Sequence, residues 1–456
     1  MILFPVTSGL RTDAVYLKTI EPPLPGNISS HESFFSEPLS IISSKENEPL
    51  MPSYQGYNEH IIPILQQLST KMTIGYIQNL TSFGPRVTSS EECAEAATYI
   101  YQEFQEMGLD VTYHNWTETD NLYGSNVEAT LPGVNNPNDE IFIICGHYDS
   151  VYGSPGADDN AAGTSVVLSA AELMSNHYFN YTVKFVTFSG EEQGLIGSKH
   201  YARQAYENDD NIIGVLNADM MGYAATEEGE RHVVVYDNDE SSWLTEFSKQ
   251  ISKDYDKYIN LEIVNGGSSG RSDHASFHWA GFNAIFYFEY EVNPNYHSSH
   301  DVLENMNPSY ATNVSRLALA TLLSLSELTM INAPDKPVRP TGETSGNNEE
   351  EYIYTTMTHD PDNDDVWYQW DWGEDGHSEW IGPFSSGEPC EVSHQWQKRG
   401  EYEIRVKAKD EHGEESVWSD PLVVSMPKSK MSDEHQTFWN AFPFFQKLFL
   451  LFFSRY

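Results

Sequence analysis

The sequence predicts an α/β domain built on a mostly parallel (mixed) central sheet with helices on both faces, followed by a small all-β sandwich domain. Three observations carry this. Short apolar runs of strand length alternate with helix-period segments from Ile141 to Met330. A stretch with three prolines, Asn332–Pro340, then interrupts the pattern. Beyond it come β-rich runs separated by Asp, Gly and Asn turns. The chain of 456 residues divides accordingly. We expect a leader or loosely ordered arm over 1–60, the α/β domain over 61–333, an immunoglobulin-like sandwich over 337–427 and a hydrophobic aromatic tail over 428–456.

In chain order, residues 22–57 are rich in Ser, Pro, Glu and Asn with no sustained apolar period, and predict little regular structure. From Ile61 to Met107 the apolar positions recur at helical spacing; Ile77, Ala97, Ile100, Phe104 and Met107 mark two amphipathic helices, and Gly108 ends the second. The unbroken apolar run Ile141–Cys145 predicts a strand buried on both faces, as does Val183–Phe188, with a helix over Ala161–Met174 between them. The alternation continues through Ile212–Leu216, a helix over Leu244–Ile251, Leu261–Val264 and Ile285–Phe288. A helix over Ser309–Met330 closes the domain. The second domain's expected strands are Tyr352–Thr358, Val366–Trp372, Glu391–Trp396, Tyr402–Ala408 and Pro421–Val424. The tail, Phe438–Phe453, is interrupted by Asn440, Pro443, Gln446 and Lys447 and falls short of the ~20 clean apolar residues of a membrane span. Its expected role is weak association with a membrane or cell surface.

Charge limits the partners. With 68 acidic against 25 basic side chains the formal charge is −43, which repels nucleic acid phosphates and anionic head groups. A solvated surface that keeps an exported protein soluble explains this acidity, and adaptation to high salt is the alternative. Cys93, Cys145 and Cys390 show no C-x-x-C spacing and read as core residues. Five N-x-[ST] sequons, at Asn27, Asn79, Asn115, Asn180 and Asn313, permit glycosylation on export. Met1–Leu10 lacks a basic n-region and the length of a full signal peptide. The expected location is secreted or cell-surface.

The residues that carry chemistry sit after the predicted strands. Gly146-His147-Tyr148-Asp149-Ser150 puts an imidazole at a strand's C-terminal edge, where open α/β sheets gather ligands. His147 and Asp149, two apart in extended chain, project to one side, so Asp149 is placed to accept the ring N–H and orient it. A solitary histidine here is more often a satisfied structural residue; the argument rests on its company. Gly156–Gly163 places Asp158 and Asp159 at a helix start, where capping needs only one Asp. The strand 183–188 runs into Glu191-Glu192, adjacent carboxylates that repel unless a cation or shared proton compensates. Asp219 follows the strand 212–216, and Tyr296-His297 lies in a loop beyond 285–288. Oxygen- and imidazole-rich groups converging on one sheet edge suit zinc without thiolates, and more than three ligands suggest two metals.

These segments resemble the zinc exopeptidases that include aminopeptidase Y and the secreted bacterial leucyl aminopeptidases. The matching stretches are G-H-Y-D-S (146–150), G-A-D-D-N-A-A-G (156–163), S-G-E-E-Q-G-L-I-G-S (189–198), N-A-D-M (217–220), G-R-S-D-H-A-S-F (270–277) and Y-H-S-S-H-D (296–301), in register over about 61–330. The resemblance implies two zinc ions bridged by Asp159, with His147 and Asp219 completing one and Glu192 and His297 the other. It implies Glu191 as general base, Tyr296 as oxyanion donor and Arg271 as a substrate-positioning group, acting on the N-terminal residues of peptide substrates. Relatives that release C-terminal residues or cyclise N-terminal glutamine share these motifs. Asp273-His274 is read as structural. Two rivals from other classes are a serine hydrolase using Ser268 in Gly266-Gly267-Ser268-Ser269-Gly270, and a non-enzymatic binding protein on a peptidase fold. The second domain resembles polycystic-kidney-disease-type modules through residues 360–365 and Trp370-Asp371-Trp372-Gly373. Its 360–365 loop has the oxygen chemistry of a structural calcium site, and an Asp-rich turn accounts for it equally.

Overall fold

A computed structural model describes residues 56–426. The expected N-terminal arm, apart from residues 56–60, and the aromatic tail lie outside the described residues. The described residues divide into two compact units, 56–176 with 181–327, and 177–180 with 328–426.

The first unit holds helices α1 (Ile61–Gln67), α2 (Thr70–Ser82), α3 (Glu91–Glu106), α4 (Gly163–Met174), α5 (Ile196–Glu207), α6 (Ser242–Asp254), α7 (Asp256–Ile259), α8 (His274–Ala280) and α9 (Pro308–Leu325). Its strands are β1 (Asp110–Thr119), β2 (Leu122–Leu131), β3 (Ile141–His147), β5 (Thr182–Phe188), β6 (Ile212–Ala218), β7 (His232–Tyr236), β8 (Glu262–Gly267) and β9 (Ala284–Glu289); β4 (Tyr178–Phe179) belongs to the second unit. They form one eight-stranded sheet in the order β1-β2-β5-β3-β6-β9-β7-β8. The pairs β5·β3, β3·β6, β6·β9 and β7·β8 are parallel; β1·β2, β2·β5 and β7·β9 are antiparallel. The four central strands β5, β3, β6 and β9 therefore end on one edge, and every residue of β3 and β6 is buried. On one face Ile143 and Cys145 pack with Tyr201, Ala202 and Ala205 of α5 and Phe277 of α8. On the other, Leu244 of α6 lies over Gly214 and Phe142.

Several elements differ from expectation. Three helices, not two, fill 61–107: Leu68 is extended, and the Ser69 hydroxyl caps a fresh start by accepting the Met72 N–H. The helix expected from Ala161 begins at Gly163, whose N–H donates to Asn160 Oδ1 at 2.8 Å. Asp159 and Asn160 before it have non-helical dihedrals, and the peptide bond joining them is cis. The last helix stops at Leu325, because Glu327 turns left-handed (φ 56°) and the chain enters a short strand, β10 (Leu328–Thr329). The β1–β2 hairpin and β7 are not among the strands that the apolar-run pattern predicts.

The second unit contains β4 paired with β10, and two further sheets. One joins β11 (Thr341–Gly342), β12 (Tyr352–Thr356) and β15 (Cys390–His394); the other orders β14 (Ile381–Phe384), β13 (Val366–Asp371), β16 (Gly400–Asp410) and β17 (Leu422–Met426). Strict alternation along β13 and β16 sends Tyr368, Trp370, Ile404 and Val406 into a core shared with Tyr354, Cys390 and Trp396. No helix among the described residues is long and apolar enough to cross a membrane.

Candidate metal site

The common edge of β3, β5, β6 and β9 gathers five of the predicted side chains. His147 is the last residue of β3, Glu191 and Glu192 follow β5, Asp219 follows β6, and His297 lies in the loop beyond β9. Their ligand atoms form two groups, His147–Asp159–Asp219 and Asp159–Glu192–His297, each within 4.8 Å. Asp159 belongs to both. One of its oxygens stands 3.3 Å from His147 Nε2 and the other 3.1 Å from His297 Nε2. Asp219 Oδ1 is 3.4 Å from His147 Nε2, and Glu192 Oε2 is 3.0 Å from His297 Nε2.

His297 Nε2 is within hydrogen-bonding distance of Asp159 and Glu192, but the rest of the set is not satisfied. His147 Nε2, Asp219 Oδ1 and Glu192 Oε1 are buried and have no hydrogen-bond partner, an arrangement that costs each group its solvation unless something fills the gap. Lone pairs of imidazole and carboxylate aimed at a shared point are the donor set a divalent cation takes, so these residues fit zinc. Without a cation, the titration of the acids is distorted. Burial and then the Asp159 charge push Glu192 up to about 8 despite the nearby imidazoles. Burial pushes Glu191 well above the carboxylate range; the His147 ring opposes this, and the Glu192, Asp219 and Asp273 charges add to the rise. Burial also lifts Asp159, but the His147 and His297 rings outweigh it and hold its carboxyl well below the usual range. Burial lowers His297, yet Asp159 and Glu192 carry it up to about 10.

The surrounding groups fix the ligands. Asp149 is fully buried, and its backbone carbonyl bonds His147 Nδ1 at 3.2 Å while its carboxylate stands 3.4 Å away. The carbonyl, rather than the expected carboxylate, is thus the closer partner; both favour a proton on Nδ1 and leave the Nε2 lone pair free. The Asp149 carboxylate accepts the N–H groups of Glu191 (3.4 Å) and Glu192 (3.3 Å), tying the turn after β5 to the end of β3. That turn needs Gly190, at φ 76°, because a Cβ there would lie 2.6 Å from the Trp116 ring.

Three supporting residues escaped the sequence reading. Asp301 accepts the N–H groups of Asp158 and Asp159 at 2.8 and 3.1 Å. Ser272 donates to Asp219 at 2.6 Å while accepting from Asn217 at 2.7 Å. Asn160 donates to the Ala218 carbonyl at 2.9 Å. Asp301, Ser272 and Asn160 all lie inside quoted motifs, which was the available signal. Tyr296, partly exposed, stacks on His297 with ring centroids 3.7 Å apart, and burial followed by the nearby acids raises its phenol. Arg271 is exposed on the loop after β8. Asp273 and His274 are buried but fall outside both ligand groups; His274 stacks on Phe286, and burial then His278 push it down to about 3. Ser268 is exposed, and the segment 268–273 separates β8 from α8, which is not the sharp strand-to-helix turn a nucleophilic serine needs. In the second unit Asp360, Asp362 and Asp364 also approach within 4.8 Å, but nothing further supports the calcium expected there.

Comparison with known proteins gives matches to both units. Residues 126–322 match the family model for peptidase family M28, and residues 339–422 that for the PKD domain. A probable leucine aminopeptidase of Arthroderma benhamiae is 26% identical over 331 residues, covering 66% of this chain and 87% of the relative. Aminopeptidase YwaD of Bacillus subtilis is 33% identical over 174 residues, 37% of each chain. Among solved structures, LapB from Legionella pneumophila aligns with a TM-score of 0.54 at 25% identity, over 60% of this chain and 77% of that one. BSAP, a zinc aminopeptidase from Bacillus subtilis, shares the fold with a TM-score of 0.52 at 18% identity, over 57% of this chain and 98% of that one. The chain thus carries a peptidase family M28 domain and, behind it, a PKD domain.

Proposed function

We propose that the chain is a two-zinc aminopeptidase. The observation that carries the reading is the sharing of Asp159 between two ligand groups, each completed by one imidazole and one further carboxylate. The relatives named leucine aminopeptidase, and the fold shared with a zinc aminopeptidase, support both the metal and the reaction. His147, Asp159 and Asp219 hold one ion; Asp159, Glu192 and His297 hold the other. When bound, the pair supplies Lewis acidity that brings a water's pKa from 15.7 to roughly 7 and polarises the scissile carbonyl.

The remaining work falls to the protein. Glu191 Oε2, 4.0 Å from His147 Nε2 and bound into no ligand group, takes the proton of the attacking water and returns it to the leaving amine. Tyr296, its phenol held protonated, donates to the developing oxyanion. Arg271 helps position the substrate. Pairing elemental analysis with hydrolysis of N-terminally free, N-acetylated and C-terminally blocked peptides tests the reading. About two zinc per chain and cleavage of the free-amine set are expected. Cleavage of the acetylated set alone overturns the aminopeptidase assignment, and a single tightly held ion overturns the paired site.

A further inference from the structure

Arg86, between α2 and α3, is fully buried. Its guanidinium is spent on backbone carbonyls: Nε donates to Tyr148 (2.7 Å), Nη1 to Pro155 (2.6 Å) and more distantly to Leu80 and Gly84 (3.4 Å each), and Nη2 to Gly156 (2.8 Å). Its own N–H donates to Ser150 Oγ at 3.0 Å, and the Ser150 N–H donates back to the Arg86 carbonyl at 3.1 Å. Two residues on, Thr88 Oγ1 donates to Asp149 Oδ2 at 2.8 Å.

Most of these contacts fall on 148–156, the irregular segment joining His147 to Asp158 and Asp159. Such a loop has no ladder to satisfy its carbonyls, and burying it needs a multidentate donor that cannot lose its proton, which is what a planar guanidinium offers. The fit has no slack at Gly156: at φ 61°, a Cβ there would lie 2.5 Å from the Asp159 carbonyl, 2.6 Å from Ser150 Cβ and 2.9 Å from Arg86 Nη2. The loop that holds Arg86 and Thr88 precedes the residues that match the family model.

We propose that Arg86 and Thr88 are positioning residues of the metal site, Arg86 pegging the 148–156 segment so that Asp159 faces His147, and Thr88 holding Asp149 behind the His147 ring. This rests on the two-zinc reading. The full chain and its Arg86→Met, Arg86→Lys and Thr88→Val variants are stripped of metal and titrated with zinc against a chromogenic chelator, at a temperature where each keeps its native near-UV circular dichroism. Urea unfolding is followed in parallel.

Thr88→Val is expected to weaken zinc about 10- to 100-fold, the range for lost outer-shell partners, with a urea midpoint close to that of the parent chain. Arg86→Met weakens it at least as much. Arg86→Lys restores part of the loss, since an ammonium reaches some of the carbonyls but not all at once. If Arg86→Met does not fold, Thr88→Val decides. Folded variants that bind zinc as tightly as the parent chain overturn the inference, even if their urea midpoints fall. A parent chain that binds no zinc overturns the two-zinc reading instead.

Discussion

Each unit of the chain clusters acidic side chains: Asp360, Asp362 and Asp364 lie within 4.8 Å in the second, and in the first, two groups, each of two carboxylates and one imidazole, share Asp159; the clusters differ in what surrounds them. In the second unit, Asp360 Oδ1 accepts the N–H groups of Asp362 and Asp364 at 2.9 and 3.2 Å, and both Asp362 oxygens accept from Asn332. Asp410 repeats the device, accepting the N–H groups of His412 and Glu414. Oδ2 of Asp360, of Asp364 and of Asp410 has no hydrogen-bond partner. These are acids that fold turns. On the sheet edge of the first unit, Asp159, Glu192 and Asp219 come from three separate segments and are interleaved with two imidazoles, and His147 Nε2, Asp219 Oδ1 and Glu192 Oε1 are buried without a hydrogen-bond partner. Acidity and unpartnered oxygens occur in both clusters; what separates them is that Asp360 and Asp410 accept backbone N–H groups of their own turns, whereas the sheet-edge acids face imidazoles from distant segments, one of them, His147 Nε2, itself buried and unpartnered.

The sharpest break of this comparison is an acid-to-amide exchange that leaves shape intact. Glu191→Gln is expected to lower the turnover rate by ~10²–10⁴ with zinc content unchanged, because an amide cannot accept the proton. Steady-state kinetics beside elemental analysis checks it; lost zinc would make Glu191 a ligand instead. Glu192→Gln is expected to empty one site preferentially, and excess zinc to recover part of the activity, since the amide oxygen is a weaker, uncharged ligand. Activity indifferent to added zinc counts against that role.

A third test uses acidity itself. In the metal-free chain, burial with neighbouring acids raises Asp273 to about 7, Asp301 to about 7 and Glu192 to about 8. Each folded pKa lies above its unfolded value, so between about pH 4 and these values the native state binds more protons than the unfolded one. Stability therefore falls as pH rises through that window. His297, raised to about 10, extends the fall: its contribution is complete below about 6.5 and lost through about 10. We expect the urea midpoint of the metal-free chain to drop from pH 5 to pH 8, by on the order of a few kcal/mol in stability. Zinc displaces those protons, so its stabilising effect grows over the same range. A flat profile breaks the account. The smallest effect is expected for Asp362→Asn in the second unit: unchanged turnover and zinc content, and a stability change under about 1 kcal/mol by thermal unfolding.

His147, Glu192 and Asp219 were legible as candidate ligands because each follows an uninterrupted buried run, as His147 follows Ile141–Cys145. A fully buried strand announces itself by composition, and the polar residue at its end stands out. The β1–β2 hairpin was not legible for the converse reason. Most of β1 is exposed or half-exposed, with Trp116 alone fully buried, so no apolar run marks it. The short β7, five residues long, follows β6 with no α-helix between them, so helix–strand alternation did not mark it. Arg86 and Thr88 were invisible in a different way: their partners lie some sixty residues or more along the chain, and nothing in their local pattern hints at burial. Local propensity reports elements; it does not report which loop a buried cation will satisfy.

The order of the sheet has a kinetic consequence. Because the ligands are scattered from His147 to His297 across four strands and a distant loop, no short stretch of unfolded chain offers more than a fraction of either site. Unlike a zinc finger, whose metal organises a few neighbouring residues, this domain cannot use zinc to nucleate folding; the long-range parallel pairing of β3, β5, β6 and β9 has to come first. On the two-zinc reading, metal uptake is therefore a late event, a stamp placed on chains whose sheet has already closed.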